Sequence, residues 1–405
     1  FTYVAFGELW GWLVGWALIL ELLLAASLVA RAWSSYFLAT LDGFDISLPT
    51  VIVEHSQVGS DLNLVAPALL IVLTLLVATG TKLSASVLSV AVLAKVAVIL
   101  LVIVVGLAHI DRGNYTPFVP EPQDTGGDGG TLWSALIGVD TSFGVAGVFA
   151  ATAVIVFGYI GFDLISTAAE DTKEPRHSVP RAMLISIGLV SVLYVAMAVV
   201  LVGLRPYLEL GTPAPVSDAL GAAGVDWAAK IVNLGGLLAF TTVIMVVLIA
   251  QSRVLFSMGR DGLLPGVLGR VSRRYSTPTN GAIVAGLAAT VVALFPTIGE
   301  LEQMLVLGAL FAFFFCSVGV PLLRLRQPDL ERGFRVPGSP FVPLLAAAAI
   351  VWLGLNLTGE TWIRFAVWML VGLVFYLAYG RSHSALAGRI GMNALPSGTH
   401  GKHSL

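Results

Sequence analysis

Only one cysteine, Cys316, occurs in the 405 residues. No disulfide can therefore close within the chain, and no thiolate cluster can hold a metal. Charge is scarce as well: Asp, Glu, Lys and Arg together make up 11%, against roughly 25% in a soluble domain. A formal net charge of −2 supplies no basic field for nucleic acid. Of the six histidines, His383, His400 and His403 fall near the C-terminal end, while His55, His109 and His177 sit in separate loops. That scatter disfavours a metal centre. The HExxH zinc helix, the Gly-x-Ser-x-Gly nucleophile elbow and the Gly-x-x-x-x-Gly-Lys phosphate loop are all missing. No cofactor and no enzymatic chemistry are implied.

What the chain has instead is apolar length. Hydrophobic residues make up 57% and the mean hydropathy is +0.91. Such a composition cannot cover its own surface with solvated side chains. Taking about twenty apolar residues per crossing of a bilayer, ten spans are expected: 8–37, 64–80, 83–108, 143–169, 182–204, 228–257, 281–298, 304–323, 341–357 and 362–380. The first apolar stretch is too long for a signal-peptide core. The chain opens on Phe1 rather than methionine, which reads as an internal start with residues upstream missing.

Lysine and arginine set the expected orientation. One set of loops carries Lys82, Lys173, Arg176, Arg181, Arg260, Arg270, Arg273, Arg274, Arg324, Arg326, Arg332, Arg335, Arg381, Arg389 and Lys402. The opposite set carries only Arg31, Arg112, Arg205, Lys230 and Arg364. The richer side is assigned to the cytoplasm, which puts both termini of this chain there. The outer loop 109–142, with Pro117, Pro120, Pro122 and the run Gly126-Gly127-Asp128-Gly129-Gly130, reads as a flexible surface loop. Residues 381–405 read as a disordered cytoplasmic tail behind a transporter domain spanning 1–380.

A charge in the middle of a span costs a few kcal/mol and needs a reason. Glu21, Lys95 and Asp163 stand in that position. Arg31 and Arg253 lie near span ends, where snorkelling accounts for them; Trp10, Trp12 and Trp16 anchor or pack. The span 143–169 is interrupted in pattern, reading Phe157-Gly158-Tyr159-Ile160-Gly161-Phe162-Asp163. Two glycines three apart weaken a helix just ahead of a carboxylate. Small-residue packing between helices is the plain account of the glycines. With Asp163 following, an unwound segment is favoured, whose freed carbonyls and amides can bind a charged substrate or ion. A lysine at the depth of Lys95 is either a structural ion-pair partner or a proton carrier that stands in for a bound cation.

The run from Phe157 through Ala168-Ala169-Glu170-Asp171-Thr172-Lys173-Glu174-Pro175 resembles the sixth helix and following loop of the cationic amino acid transporter branch of the amino acid–polyamine–organocation superfamily. Further matches lie at Glu8-Leu-Trp through Arg31-Ala-Trp, Ala94-Lys95, Ser252-Arg253 through Met258-Gly-Arg-Asp-Gly-Leu-Leu-Pro265, Phe334-Arg-Val-Pro337 and Tyr379-Gly-Arg381. They cover nearly the whole chain in order. The resemblance implies an all-α membrane protein with two five-helix repeats of inverted topology and two further C-terminal helices. Ten transmembrane helices, the family's third to twelfth, would be present here. Its first helix, which carries the other half of the site, would lie upstream.

On that map Phe157, Ile160 and Asp163 line the substrate pocket or its gate. Carbonyls from Phe157 to Gly161, through Gly158 and Tyr159, meet the substrate ammonium. Glu21 stands beside the site. Lys95 replaces a sodium ion and couples protons, and Thr241 and Thr242 form the opposite wall. Gly158 departs from the alanine expected there. The function so implied is secondary active transport of cationic or small neutral amino acids across the cell membrane, coupled to protons. Exchange and sodium symport are the alternatives within that class; an amino acid sensor or a membrane-embedded enzyme is the alternative outside it.

Overall fold

The computed structural model describes residues 2–56, 62–80, 85–124, 130–137, 141–162, 164–167, 174–275, 277–294, 298–329 and 334–384. Every one of the ten apolar segments is helical there. In chain order the helices are α1 (Glu8–Gly43), α2 (Val65–Ala78), α3 (Ala85–Leu107), α4 (Gly144–Ile155), α5 (Pro175–Leu204), α6 (Asp226–Arg260), α7 (Thr279–Leu294), α8 (Ile298–Arg326), α9 (Phe341–Leu355) and α10 (Gly359–Phe375). Their ends follow local rules. Pro175 opens α5 at a position where a missing N–H costs nothing. Asp226 begins α6 and Arg260 ends it, each matched to the pole of the helix dipole beside it.

By length and composition, α1, α3, α5, α6, α8 and α10 can each cross a membrane. The other four are shorter apolar helices. At 1.5 Å per residue, the 14 residues of α2 reach only about 21 Å of a hydrocarbon layer about 30 Å thick.

Helix α1 is the central strut. Residues 19–31 of it are buried without interruption, so neighbours cover its whole circumference. It packs against α6 and α8, and α2 packs against α7. The main apolar core joins Leu20, Leu24 and Leu28 of α1 to Leu70 of α2, Ile244 and Leu248 of α6, Ala289 of α7 and Leu305 of α8. A second cluster brings Val102 of α3 and Val200 of α5 onto Val232 of α6. The outer faces are apolar and bare: Leu93 of α3 is 68% exposed, Ile185 of α5 69% and Leu345 of α9 72%. Soluble proteins rarely show contiguous apolar surface on this scale; lipid tails are its natural solvent.

With lipid outside, helices associate through close packing and hydrogen bonds rather than through expulsion of water. Gly286 of α7 illustrates the packing. A Cβ built there would run into the Thr74 side chain of α2, whereas one on Gly188 of α5 meets nothing within 4 Å. Overpacking costs about 1–3 kcal/mol. Gly286→Val should therefore lower the thermal unfolding midpoint of detergent-purified protein, and Gly188→Val should leave it unchanged. Equal midpoints for the two variants would contradict this account of the α2–α7 seam.

Two expectations need correction. Arg31 does not snorkel: it is 2% exposed, and its Nη1 donates to the Ala293 carbonyl in the last turn of α7 at 3.1 Å. A buried cation finds a partial negative charge at a helix C-terminus, and that is where the guanidinium goes. The Asn63 N–H caps the neighbouring Leu294 carbonyl at 3.0 Å.

The loop between α3 and α4 is docked rather than loose. It holds a 3₁₀ turn (Arg112–Tyr115), a two-residue strand pairing of Gln123–Asp124 with Thr141–Ser142, and a short helix (Leu132–Ile137). The Leu132 N–H donates to the Leu357 carbonyl at 2.8 Å, and Thr131 bridges Thr358 in the α9–α10 turn. Most of its glycine run, 126–129, lies outside the described residues.

The last described residues continue past α10. A π-helical turn (Tyr376–Gly380) follows α10, and the Ser384 hydroxyl donates to Glu8 Oε2 at 3.0 Å. Residues 385–405 lie outside the described residues. Glu8 accepts from Tyr3 at 3.0 Å and from Tyr376 at 3.1 Å as well. Burial first, and then this bond to the carboxylate, push the Tyr3 phenol up to about 12.

Candidate functional site

Helix α4 does not continue through its glycines. After Ile155 it tightens into a 3₁₀ turn (Val156–Tyr159), and at Ile160 the chain becomes extended, with φ −61° and ψ 136°. Gly161 follows at φ +114°, and helix resumes only over Leu164–Thr167. A φ of that sign is close to glycine's alone, and Gly161 supplies it at the point where the helix stops.

Three of the five carbonyls in this stretch are already taken. The Phe157 carbonyl accepts from Ile160 N–H at 3.1 Å, and the Gly161 carbonyl accepts from Leu164 N–H at 3.2 Å. The Gly158 carbonyl accepts from the Tyr194 hydroxyl of α5 at 2.5 Å. Among the described residues, no donor reaches the carbonyls of Tyr159 and Ile160.

The surroundings come from three helices. From α5, Ser191 accepts from the Tyr159 hydroxyl at 3.1 Å, and the Tyr194 ring meets that of Tyr159 edge-on at 5.4 Å. From α8, Phe313 meets Phe162 at 5.3 Å. Phe157 and Ile160 pack against the main core, to which α1 contributes most. Glu21 of α1 is 1% exposed, with its backbone against Gly308 of α8.

Lys95 is half-buried on α3 and makes no hydrogen bond or ion pair among the described residues. Three residues on, Val98 packs against Gly235 where α3 crosses α6. Residues three apart share a helix face, so Lys95 belongs to the face turned toward α6. Thr241 and Thr242 lie about two turns further along α6. The Thr241 hydroxyl donates to Leu237 O at 2.7 Å and accepts from Trp33 Nε1 at 3.0 Å; Thr242 donates to Ala239 O at 2.8 Å. Asp163 lies outside the described residues.

Phe157 to Gly161 thus form one interrupted turn flanked by α5 and α8. Glu21 sits at the α1–α8 contact, Lys95 one turn before the α3–α6 crossing at Val98, and Thr241 on α6 against Trp33 of α1. No hydrogen bond or ion pair among the described residues joins Lys95 to Glu21 or to the turn. Ser191, Tyr194, Trp33 and Phe313 were not singled out from sequence. A signal existed for the first two: Ser191 and Tyr194 are polar and three apart in an otherwise apolar run, hence on one face.

A family model described as amino acid permease matches residues 1–376. The chain is 37% identical to a methylthioribose transporter of Bacillus subtilis (strain 168), over 95% of this chain and 79% of the relative. It is 37% identical to the branched-chain amino acid permease BcaP of the same organism, again over 95% and 79%. A mitochondrial cationic amino acid transporter 3 of Arabidopsis thaliana is 29% identical over 96% of this chain and 80% of its own length.

Proposed function

Because the chain belongs to the amino acid permease family, and is thus a multi-pass membrane transporter and not an enzyme, we propose that it carries amino acids across the cell membrane by alternating access, with protons as the coupling ion. In this reading all ten segments cross the bilayer, the four short helices doing so together with their flanking residues, as two inverted five-helix repeats sharing one transporter domain over 1–380, with two further helices at its end. Both ends of this chain face the cytoplasm, and the 109–142 loop faces outward. Residues 381–405 are a cytoplasmic tail.

The observation that carries the reading is the interruption of α4 at Ile160 and Gly161. In hydrocarbon, unpaired main-chain groups are tolerated only where they line a cavity or bind something. The carbonyls of Tyr159 and Ile160 would receive the substrate ammonium. Phe157 and Ile160 would close over it, and Asp163 and Glu21 would lend negative charge. Gly158 contributes shape rather than a carbonyl, since Tyr194 already holds its oxygen. Lys95 supplies a fixed ammonium where a coupling cation would otherwise bind, which argues for protons over sodium. Thr241 and Thr242 supply the α6 wall beside it. Relatives named for a thioether sugar, for branched-chain and for cationic amino acids leave the side chain of the substrate open at this level.

Purified protein in proteoliposomes tests the proposal. An inward proton gradient should drive accumulation of labelled amino acids, and a protonophore should abolish it. Counterflow that ignores the gradient would make the protein an exchanger; binding with no flux in either assay would make it a sensor and end the transport reading.

A further inference from the structure

A cavity of about 860 Å³ opens beside α4 at the end that carries the 109–142 loop. Its volume is that of a small-molecule pocket. One wall is α4 itself from Gly144 to Ala151. The interrupted turn begins six residues further along, about 9 Å at the helical rise. The same helix therefore lines the cavity and presents the candidate site. Val199 and Val202 of α5 and Trp352 of α9 line other sides, and Trp352 meets Phe149 of α4 edge-on at 5.5 Å.

Two properties of the lining set its chemistry. No charged residue is among the described residues that form it. The donor atoms of four of its polar side chains are also committed to main-chain carbonyls. Asn114 Nδ2 donates to Gly203 O at 3.0 Å and the Tyr115 hydroxyl to Val199 O at 2.8 Å. The Ser134 hydroxyl donates to Thr131 O and Asn356 Nδ2 to Trp352 O, each at 2.8 Å. A cationic side chain entering here would shed water and meet only neutral oxygens, with no counter-charge among the described lining residues. Burying an unpaired charge is heavily penalised, whereas an aliphatic or thioether side chain gains by leaving water. The ammonium and carboxylate are common to all amino acids, so this wall discriminates side chains only.

From this we infer that the cavity is the outer approach to the α4 break and that it selects neutral amino acids with apolar side chains over cationic ones. The inference rests on the transport reading above and narrows it to a substrate class.

The test is uptake of labelled leucine into proteoliposomes in competition with unlabelled amino acids. Methionine, isoleucine and valine should compete, and lysine and arginine should be weaker by about tenfold or more. Val148→Asp places a carboxylate in the wall at a position 55% exposed. That variant should narrow the gap by raising arginine competition. Lysine or arginine competing as well as valine in the unaltered protein would overturn the substrate class while leaving transport intact. A correctly folded Val148→Asp variant with unchanged selectivity would overturn the assignment of the cavity as the approach. No uptake or counterflow of any amino acid would instead remove the transport reading, and this inference with it.

Discussion

Lys95→Met is expected to reduce proton-driven uptake by about tenfold or more, equivalent to about 1.4 kcal/mol or more, while leaving the fold as stable as before or more so. The two halves of that result belong together. An amine within a membrane helix costs about 2.5–3.5 kcal/mol on insertion scales. Lys95 recovers none of this from an ion pair among the described residues. Were its role structural, replacing it would break a partnership and lower the melting temperature. Methionine keeps the length of the side chain and removes the charge, so the packing around Val98 and Gly235 survives. Uptake measured across pH should lose its acid dependence in the variant. Unchanged uptake over that range, or a destabilised protein, would remove Lys95 from the coupling step.

Gly161→Ala is expected to be nearly as damaging for a different reason. A Cβ at this position would touch nothing within 4 Å, so crowding is not the issue. The backbone is: at φ +114° an L side chain is strained by about 1–3 kcal/mol, which shifts a two-state balance by about five- to 150-fold. Alanine would favour closing the break into regular helix and would withdraw the Tyr159 and Ile160 carbonyls. Gly158→Ala is the control. Its φ is not positive, and its Cβ would sit 3.2 Å from Cε2 of Tyr194, a contact that a small ring shift relieves. Uptake should therefore fall sharply in the first variant and mildly in the second. The reverse order would mean that the turn at Gly161 is not where substrate binds.

Much of the architecture was legible because lipid imposes a simple code: apolar runs of about twenty residues become helices, and all ten did. The break in α4 was legible for a related reason, since glycine pairs ahead of an acid are unusual in such runs. Which helices touch was not legible, because every face is apolar and hydrophobicity no longer marks the inside. Arg31 shows the limit. From position it belonged at an interface, yet it caps a helix 262 residues away in sequence. The capture of the Gly158 carbonyl by Tyr194 and the docking of Leu132 on Leu357 depend on long-range pairings that no local pattern encodes. The composition of the 109–142 loop suggested looseness, but its hydrogen bonds to the α9–α10 turn outweigh it.

The aromatic seam between α1 and α10 bears on how the molecule can move. Trp12 Nε1 donates to Gly372 O and Trp16 Nε1 to Trp368 O, while Trp368 Nε1 returns the bond to Trp16 O. Just past the end of α10, Tyr376 holds Glu8. These bolts run along one edge, so the two helices must travel as a single girder. Any rocking that exposes the broken turn alternately to each side must then be taken up elsewhere. Under the proposed alternating access, the α4–α5 contact, joined by the hydroxyls of Tyr159 and Tyr194, would be the hinge line, and the girder the frame against which it swings.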